Sequence, residues 1–176
     1  MKIMIMGSAG AGKSTVARKL GEVYDVPVFH LDQCFWKPGW VMSTPEEQTE
    51  IHDKLMEKDD WIIDGNYSAF FETRAEHADK IIYLNVGRWQ SFYRVLKRYF
   101  LNRGKTRIDM AEGCEEKLDW EFLVWIWNYH SKDKYKWMEK LESIEDREVI
   151  ILQNTKALNE YLSNLKEEQW NSKGSS

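Results

Sequence analysis

The feature that most constrains this chain is Gly7-Ser8-Ala9-Gly10-Ala11-Gly12-Lys13-Ser14, which matches the pattern G-x-x-x-x-G-K-[ST]. A short apolar run at residues 2–6 precedes it. A stretch from Lys13 to Tyr24 follows, with Val16, Ala17, Leu20, Val23 and Tyr24 on one helical stripe. Strand, glycine-rich turn and helix in that order build a cradle for phosphate. Glycine allows positive φ and lets the backbone approach an oxygen with no Cβ in the way. Successive N–H groups and the helix N-terminus then point positive potential at the anion. Lys13 is expected to reach the β- and γ-phosphates of a nucleotide and the Ser14 hydroxyl to ligate Mg²⁺, with Thr15 completing the ATP-binding turn.

Further apolar runs at 27–31, 61–64, 80–86 and 148–153 read as strands buried on both faces. Helical stretches separate them. Thr44-Pro45-Glu46-Glu47 is a capping box with proline at the first helical position, opening a helix to about Lys58. Residues 89–102, 119–141 and 156–168 complete the helices, and the tail from Asn171 to Ser176 reads as frayed. Alternating strand and helix implies right-handed crossovers and a parallel sheet covered on both faces, with ligands beyond the carboxyl ends of the strands. Asp32, Asp64 and Gly65 fall at those ends. With 176 residues, 43% of them hydrophobic, the chain can bury one core, and residues 1–176 are read as one domain.

No apolar run is long enough to span a membrane, and the start of the chain is too short for a signal peptide's apolar region. Cys34 and Cys114 stand in no metal-ligand spacing and read as reduced thiols. A soluble, cytoplasmic protein is the expectation. The net charge of −4 argues against a general nucleic-acid binder. Charge is nonetheless uneven: residues 88–107 hold seven positive side chains and no acidic one, which leaves −11 for the rest. Such a block is either a solvated helix face or a holder of something anionic.

A phosphate cradle fixes the donor site, not the reaction. A switch GTPase would need an N-K-x-D signature, and the chain has none. Motor-type ATPases use more chain. Small-molecule and nucleotide kinases with a basic lid remain. The chain resembles the adenylate-kinase-like superfamily and, within it, the DNA topology modulation (FlaR-related) proteins. His30-Leu31-Asp32, Phe35-Trp36-Lys37-Pro38-Gly39-Trp40, Trp61-Ile62-Ile63-Asp64-Gly65-Asn66-Tyr67-Ser68, and Gly113-Cys114 through Trp127-Asn128-Tyr129 carry that resemblance.

The resemblance implies a three-layer P-loop fold with five parallel strands in the order 2-3-1-4-5, a helical lid at about 99–120, and phosphoryl transfer from ATP. It implies that Asp64 holds the Mg²⁺ shell and that Asp32 positions the hydroxyl of a small-molecule acceptor. Asp64-Gly65 is followed by Asn66-Tyr67-Ser68 where nucleotide kinases continue F-P-R, so an arginine for an acceptor phosphate is missing there. Arg74, on the next helix, is the candidate replacement. Gly65, Asn66 and Tyr67 are expected beside the acceptor. Arg94 and Arg98 share one helix face, while Arg103 and Arg107 lie in a loop whose Gly104 suits a hinge. Lid arginines, Arg103 among them, are expected on the nucleotide and the migrating phosphoryl group. The acidic run Asp109, Glu112, Glu115, Glu116, Asp119 and Glu121 is expected to pair with the basic one when the lid is open. Gln153-Asn154-Thr155-Lys156 is expected to border the adenine, with Asn154 or Thr155 capping the last helix.

Other residues keep two readings. Trp36 and Trp40 either wall an acceptor pocket or pack their loop onto the sheet edge. His30, just before Asp32, is read as pointing the other way on the strand and is expected as a packed core histidine. Trp120, Trp125, Trp127 and Trp137 recur at helical spacing, which favours core packing. The family name adds an alternative function, a nucleotide-dependent regulator of DNA topology, and an ATPase without an acceptor is a third.

Overall fold

The computed structural model describes residues 1–129 and 133–173, the last eight of them as backbone only. In chain order the first elements are β1 (Lys2–Gly7), α1 (Lys13–Tyr24), β2 (Val28–His30), α2 (Leu31–Phe35), β3 (Trp36–Lys37), β4 (Val41–Met42) and α3 (Pro45–Met56). Then come β5 (Trp61–Asp64), a 3-10 turn (Ser68–Phe70), α4 (Phe71–His77), β6 (Lys80–Leu84) and α5 (Arg88–Asn102). Two helices, α6 (Trp120–Tyr129) and α7 (Asp133–Glu142), precede β7 (Glu148–Leu152) and α8 (Thr155–Lys173).

Five strands pair in parallel in the order β2-β5-β1-β6-β7. Counted along this sheet alone, that is the expected 2-3-1-4-5. The sequence reading lacked the small antiparallel hairpin β3–β4, which stands off the sheet. It also missed α2: Leu31, expected on the second strand, opens this helix instead. The expected single helix over 119–141 is described as α6 and α7, with residues 130–132 outside the described set. The tail expected from Asn171 overlaps the end of α8, and residues 174–176 lie outside the description.

The strands are apolar throughout because both sheet faces are covered. Along β1, Ile3 and Ile5 point into one cluster with Val16, Ala17 and Leu20 of α1 and Leu158, Leu162 and Leu165 of α8. Met4 and Met6 point the other way, toward Leu55 of α3, Phe71 of α4 and Trp137 and Leu141 of α7. This period of two is what a pleated strand between two helical layers requires. The capping box forms as expected: Glu47 N–H donates to Thr44 Oγ1 at 3.3 Å, and Thr44 N–H to Glu47 Oε2 at 2.9 Å.

The tryptophan stripe behaves differently from its expectation. Trp137 is buried, but Trp120, Trp125 and Trp127 are exposed. Helix α6 is apolar around most of its circumference and turns only Ile126 and Tyr129 fully inward. Helical spacing alone therefore could not say which ring faces the body.

Candidate active site

The loop between β1 and α1 depends on glycine where the backbone is crowded. Gly7 has φ 143°, and a Cβ there would stand 2.5 Å from the Leu84 carbonyl oxygen. Gly10 has φ 73°, and its Cβ would meet the Ser91 carbonyl at the same distance. The loop is thus wedged between β6 and α5, and only glycine fits.

Side chains from several elements brace it. Asn66 is bidentate on Gly7, accepting from its N–H at 3.1 Å and donating to its carbonyl at 3.0 Å. Ser8 is buried and shares a 2.9 Å hydrogen bond with Ser91 of α5. Arg94 donates to the Ala11 carbonyl at 3.1 Å and to Thr155 Oγ1 at 3.0 Å, tying the loop to the start of α8. Asn154 caps that helix, accepting from Ala157 N–H at 2.9 Å. Ala9 is half-buried, Ala11 lies in the core, and Gly12 caps α1, whose first turn exposes Thr15.

The reactive groups gather above this loop. Lys13 Nζ donates to the carbonyls of Gly7 and Ser8, both at 3.0 Å. Desolvation lowers its ammonium pKa, opposed by the charges of Asp64 and Asp32. Asp64 ends β5 and pairs with His30, whose Nδ1 is 2.5 Å from Asp64 Oδ1. Burial alone would lower the His30 pKa; the Asp64 bond and charge outweigh it and raise it. Asp32 accepts from the Tyr67 hydroxyl at 2.8 Å, and desolvation in the cleft raises its carboxyl pKa.

The segment from Arg103 to Asp119 folds over the loop as a lid. Ser14 Oγ donates to Asp109 Oδ2 at 2.7 Å. Arg107 Nε donates to Asp109 Oδ1 at 2.9 Å and its other arm to Glu116 at 3.0 Å, while Arg98 meets Glu116 at 2.8 Å. Burial alone would raise the Asp109 pKa; Arg107 and the Ser14 hydroxyl hold it below the usual carboxylate range. Asp109 and Glu116 of the acidic run therefore pair with Arg98 and Arg107 of the basic run, here with Asp109 also on Ser14 of the loop. The lid also rests on the β3–β4 hairpin: Met110, Ala111 and Cys114 pack against Trp36 and Trp40, and Trp40 Nε1 donates to the Glu115 carbonyl at 3.0 Å. Trp36 and Trp40 thus pack against the lid rather than against the sheet edge.

One expectation is corrected. Arg74 is fully buried and donates to the carbonyls of Gly65, Asn66, Tyr67 and Phe70, so no arm remains for an acceptor phosphate. It instead sets the shape of the Gly65–Tyr67 turn. His30 is buried, as expected of a packed core histidine, and its partner there is the Asp64 carboxylate. Arg103 is exposed at the base of the lid, where its backbone forms an isolated β-bridge with Glu116. Sequence reasoning placed Asp109 in the acidic run that pairs with the basic one but did not foresee its bond to Ser14.

The donor set suits a nucleotide with Mg²⁺. The loop has no Cβ at its narrowest points, and a hydroxyl, an ammonium and hard carboxylates stand around it. Among the described residues no helix is long and apolar enough to cross a membrane.

No family model matches this chain, and neither does any curated protein. Solved structures do. Shikimate kinase from Bacteroides thetaiotaomicron aligns with a TM-score of 0.56 at 18% identity, covering 95% of this chain and 96% of that one. Shikimate kinase from Acinetobacter baumannii, in complex with shikimate, aligns at 0.62 and 14%, covering 98% and 94%. A gluconokinase from Sinorhizobium meliloti 1021 aligns at 0.54 and 14%, covering 99% and 97%. The chain shares the fold of these structures over 95–99% of its length.

Proposed function

We propose that this chain is an ATP- and Mg²⁺-dependent phosphotransferase acting on a hydroxyl of a small molecule. The observation that carries the reading is the cradle from Gly7 to Ser14 set beside Asp64 at the end of β5 and Asp32 in the first turn of α2, which follows the neighbouring strand β2. Two kinds of small-molecule kinase sharing the fold support it. Bound ATP with Mg²⁺ would supply the phosphoryl group and neutralise its charge.

The chain's own residues would do the rest. Lys13 exchanges the Gly7 and Ser8 carbonyls for the β- and γ-phosphates, and Ser14 and Asp64 hold the metal, Asp64 through its water shell. Asp32, steadied by Tyr67, orients the acceptor hydroxyl and takes its proton late in transfer. Arg98 and Arg107 face the migrating phosphoryl group once released from Glu116 and Asp109, while Arg94 keeps the cradle in shape. Arg103 reaches the cleft only if the lid turns about Gly104. Because Arg74 is held by carbonyls, a nucleoside monophosphate is disfavoured as acceptor. Trp36, on the hairpin beneath the lid, is a candidate wall of the acceptor site.

The FlaR-related resemblance rests on His30, Asp32, Trp36, Trp40, Asp64 and Cys114 among others; His30, Asp32 and Asp64 stand near the cradle, while Trp36, Trp40 and Cys114 pack the lid onto the hairpin. Nucleotide binding is therefore common to it and to phosphotransfer. A screen with ATP and Mg²⁺ over nucleosides, nucleotides, sugars and small hydroxy acids, with a Lys13→Ala control, tests the proposal. Acceptor-dependent ADP release in the parent protein alone supports it. Steady phosphate release without acceptor would indicate a hydrolase, and equal turnover in Lys13→Ala would refute the donor site.

A further inference from the structure

His30 and Asp64 close two neighbouring strands at the same level, since the β2–β5 register sets them directly opposite each other. Both side chains are buried, at 8% and 5% exposure, and their 2.5 Å contact joins Nδ1 to Oδ1. An ionised carboxylate only accepts, so the imidazole donates from Nδ1. The other charges that His30 feels are Asp109 of the lid and Arg18 of α1. A buried histidine in a helical or sheet core usually meets apolar neighbours or backbone; this one is set among the groups of the nucleotide site.

We infer that His30 is a positioning residue, holding the Asp64 carboxylate in the orientation from which it serves the metal's water shell. The inference rests on the phosphotransferase reading and deepens it. A carboxylate at a strand end can rotate about its last torsion, and each orientation presents different lone pairs to a cation. With Oδ1 held by a buried donor, that rotation is removed before metal arrives, so ordering does not weaken binding. Outer-shell partners of this kind typically change metal affinity about 10–100-fold when removed.

The test is calorimetric titration of ADP, with and without Mg²⁺, into the parent protein, His30→Phe and His30→Asn. Asparagine can return an N–H near the place of Nδ1; phenylalanine keeps the ring and removes the donor. ADP alone should bind all three within about twofold. Mg²⁺ should strengthen binding to the parent and His30→Asn, and that gain should fall about tenfold in His30→Phe. An undiminished gain in His30→Phe overturns the inference. So does an equal loss in both variants that follows a shared fall in melting temperature, since that marks a packing role. A parent protein that binds no ADP under either condition refutes the donor site itself, and the inference with it.

Discussion

Ser14 Oγ donates to Asp109 Oδ2 at 2.7 Å, so the hydroxyl suited to a metal ion is held by a carboxylate from the lid. The same carboxylate, with Glu116, neutralises Arg107, and Glu116 neutralises Arg98. Lys13 is folded onto its own loop. Lys13, Ser14, Arg98 and Arg107 thus all have intramolecular partners. Nucleotide binding must break these contacts, and a charge-assisted hydrogen bond is worth about 1.5–3 kcal/mol. Asp109→Asn should therefore bind Mg²⁺–ADP more tightly, roughly three- to tenfold, with the gain shrinking as salt is added. Calorimetry at two ionic strengths checks this. Weaker binding would mean that Asp109 serves the metal rather than competing with it.

Arg74 holds four carbonyls with one buried guanidinium. Desolvation lowers its pKa to about 10, still well above neutrality, so the charge persists. Arg74→Ala would leave these carbonyls short of donors and open a cavity, costing about 4 kcal/mol. Arg74→Lys keeps the charge but not the fork, and should recover only part of the loss. Urea midpoints should rank the parent first, lysine second and alanine last. Equal stability of all three would show that the Gly65–Tyr67 turn does not depend on this clamp.

How much of this was legible in the sequence follows from how local each feature is. The glycine-rich turn between strand and helix and the capping box at Thr44 are patterns within eight residues, and both form where expected. Asp64 was legible because strand ends in a parallel sheet face the ligand side. The His30–Asp64 pair was not, because it depends on which strands are neighbours and on their register. Ser14 and Asp109 are 95 positions apart, and no spacing rule reaches that far. Arg74 was read by its type, as a grip for phosphate. Its true partners are backbone carbonyls, which carry no mark in a sequence. Helix α6 defeated the tryptophan reading because a helix apolar on most sides has no stripe to read.

Beside the Gly39 N–H to Gly113 carbonyl bond and the buried Cys114, Trp40 is one of the fastenings between hairpin and lid. It lies edge-on to Trp36 at 5.4 Å between ring centres, donates to the Glu115 carbonyl, and has Lys117 Nζ 4.8 Å above its ring. It is only half-buried, so Trp40→Ala should weaken lid docking by about 2 kcal/mol, below the about 3–5 of a core tryptophan. That is roughly thirtyfold in local opening. Amides of Met110 to Glu116 should exchange faster by that factor, while those of β1 and β6 stay protected. Uniform acceleration across the chain would instead mean that the lid and sheet open together.

His52 is buried on α3 and stacks on Phe70 at 4.4 Å, and its Nε2 is one of the buried polar atoms without a hydrogen-bond partner among the described residues. The charged groups around it are Arg74 and His77, which disfavour its cation, and Asp53, which favours it. Desolvation, the largest influence, and Arg74 together lower its pKa below the ordinary 6.5. Between the folded and unfolded values the unfolded chain binds the extra proton, so stability falls as pH drops below about 6.5. The slope for one proton is at most about 1.4 kcal/mol per pH unit. His52→Phe removes the titrating ring and the unpaired nitrogen but keeps a ring on Phe70. Subtracting its urea midpoints from those of the parent across pH 5 to 8 cancels the other groups. The parent should lose ground to the variant on the acid side only. A difference that does not change with pH would show that His52 remains neutral, or equally charged, in both folded and unfolded chains.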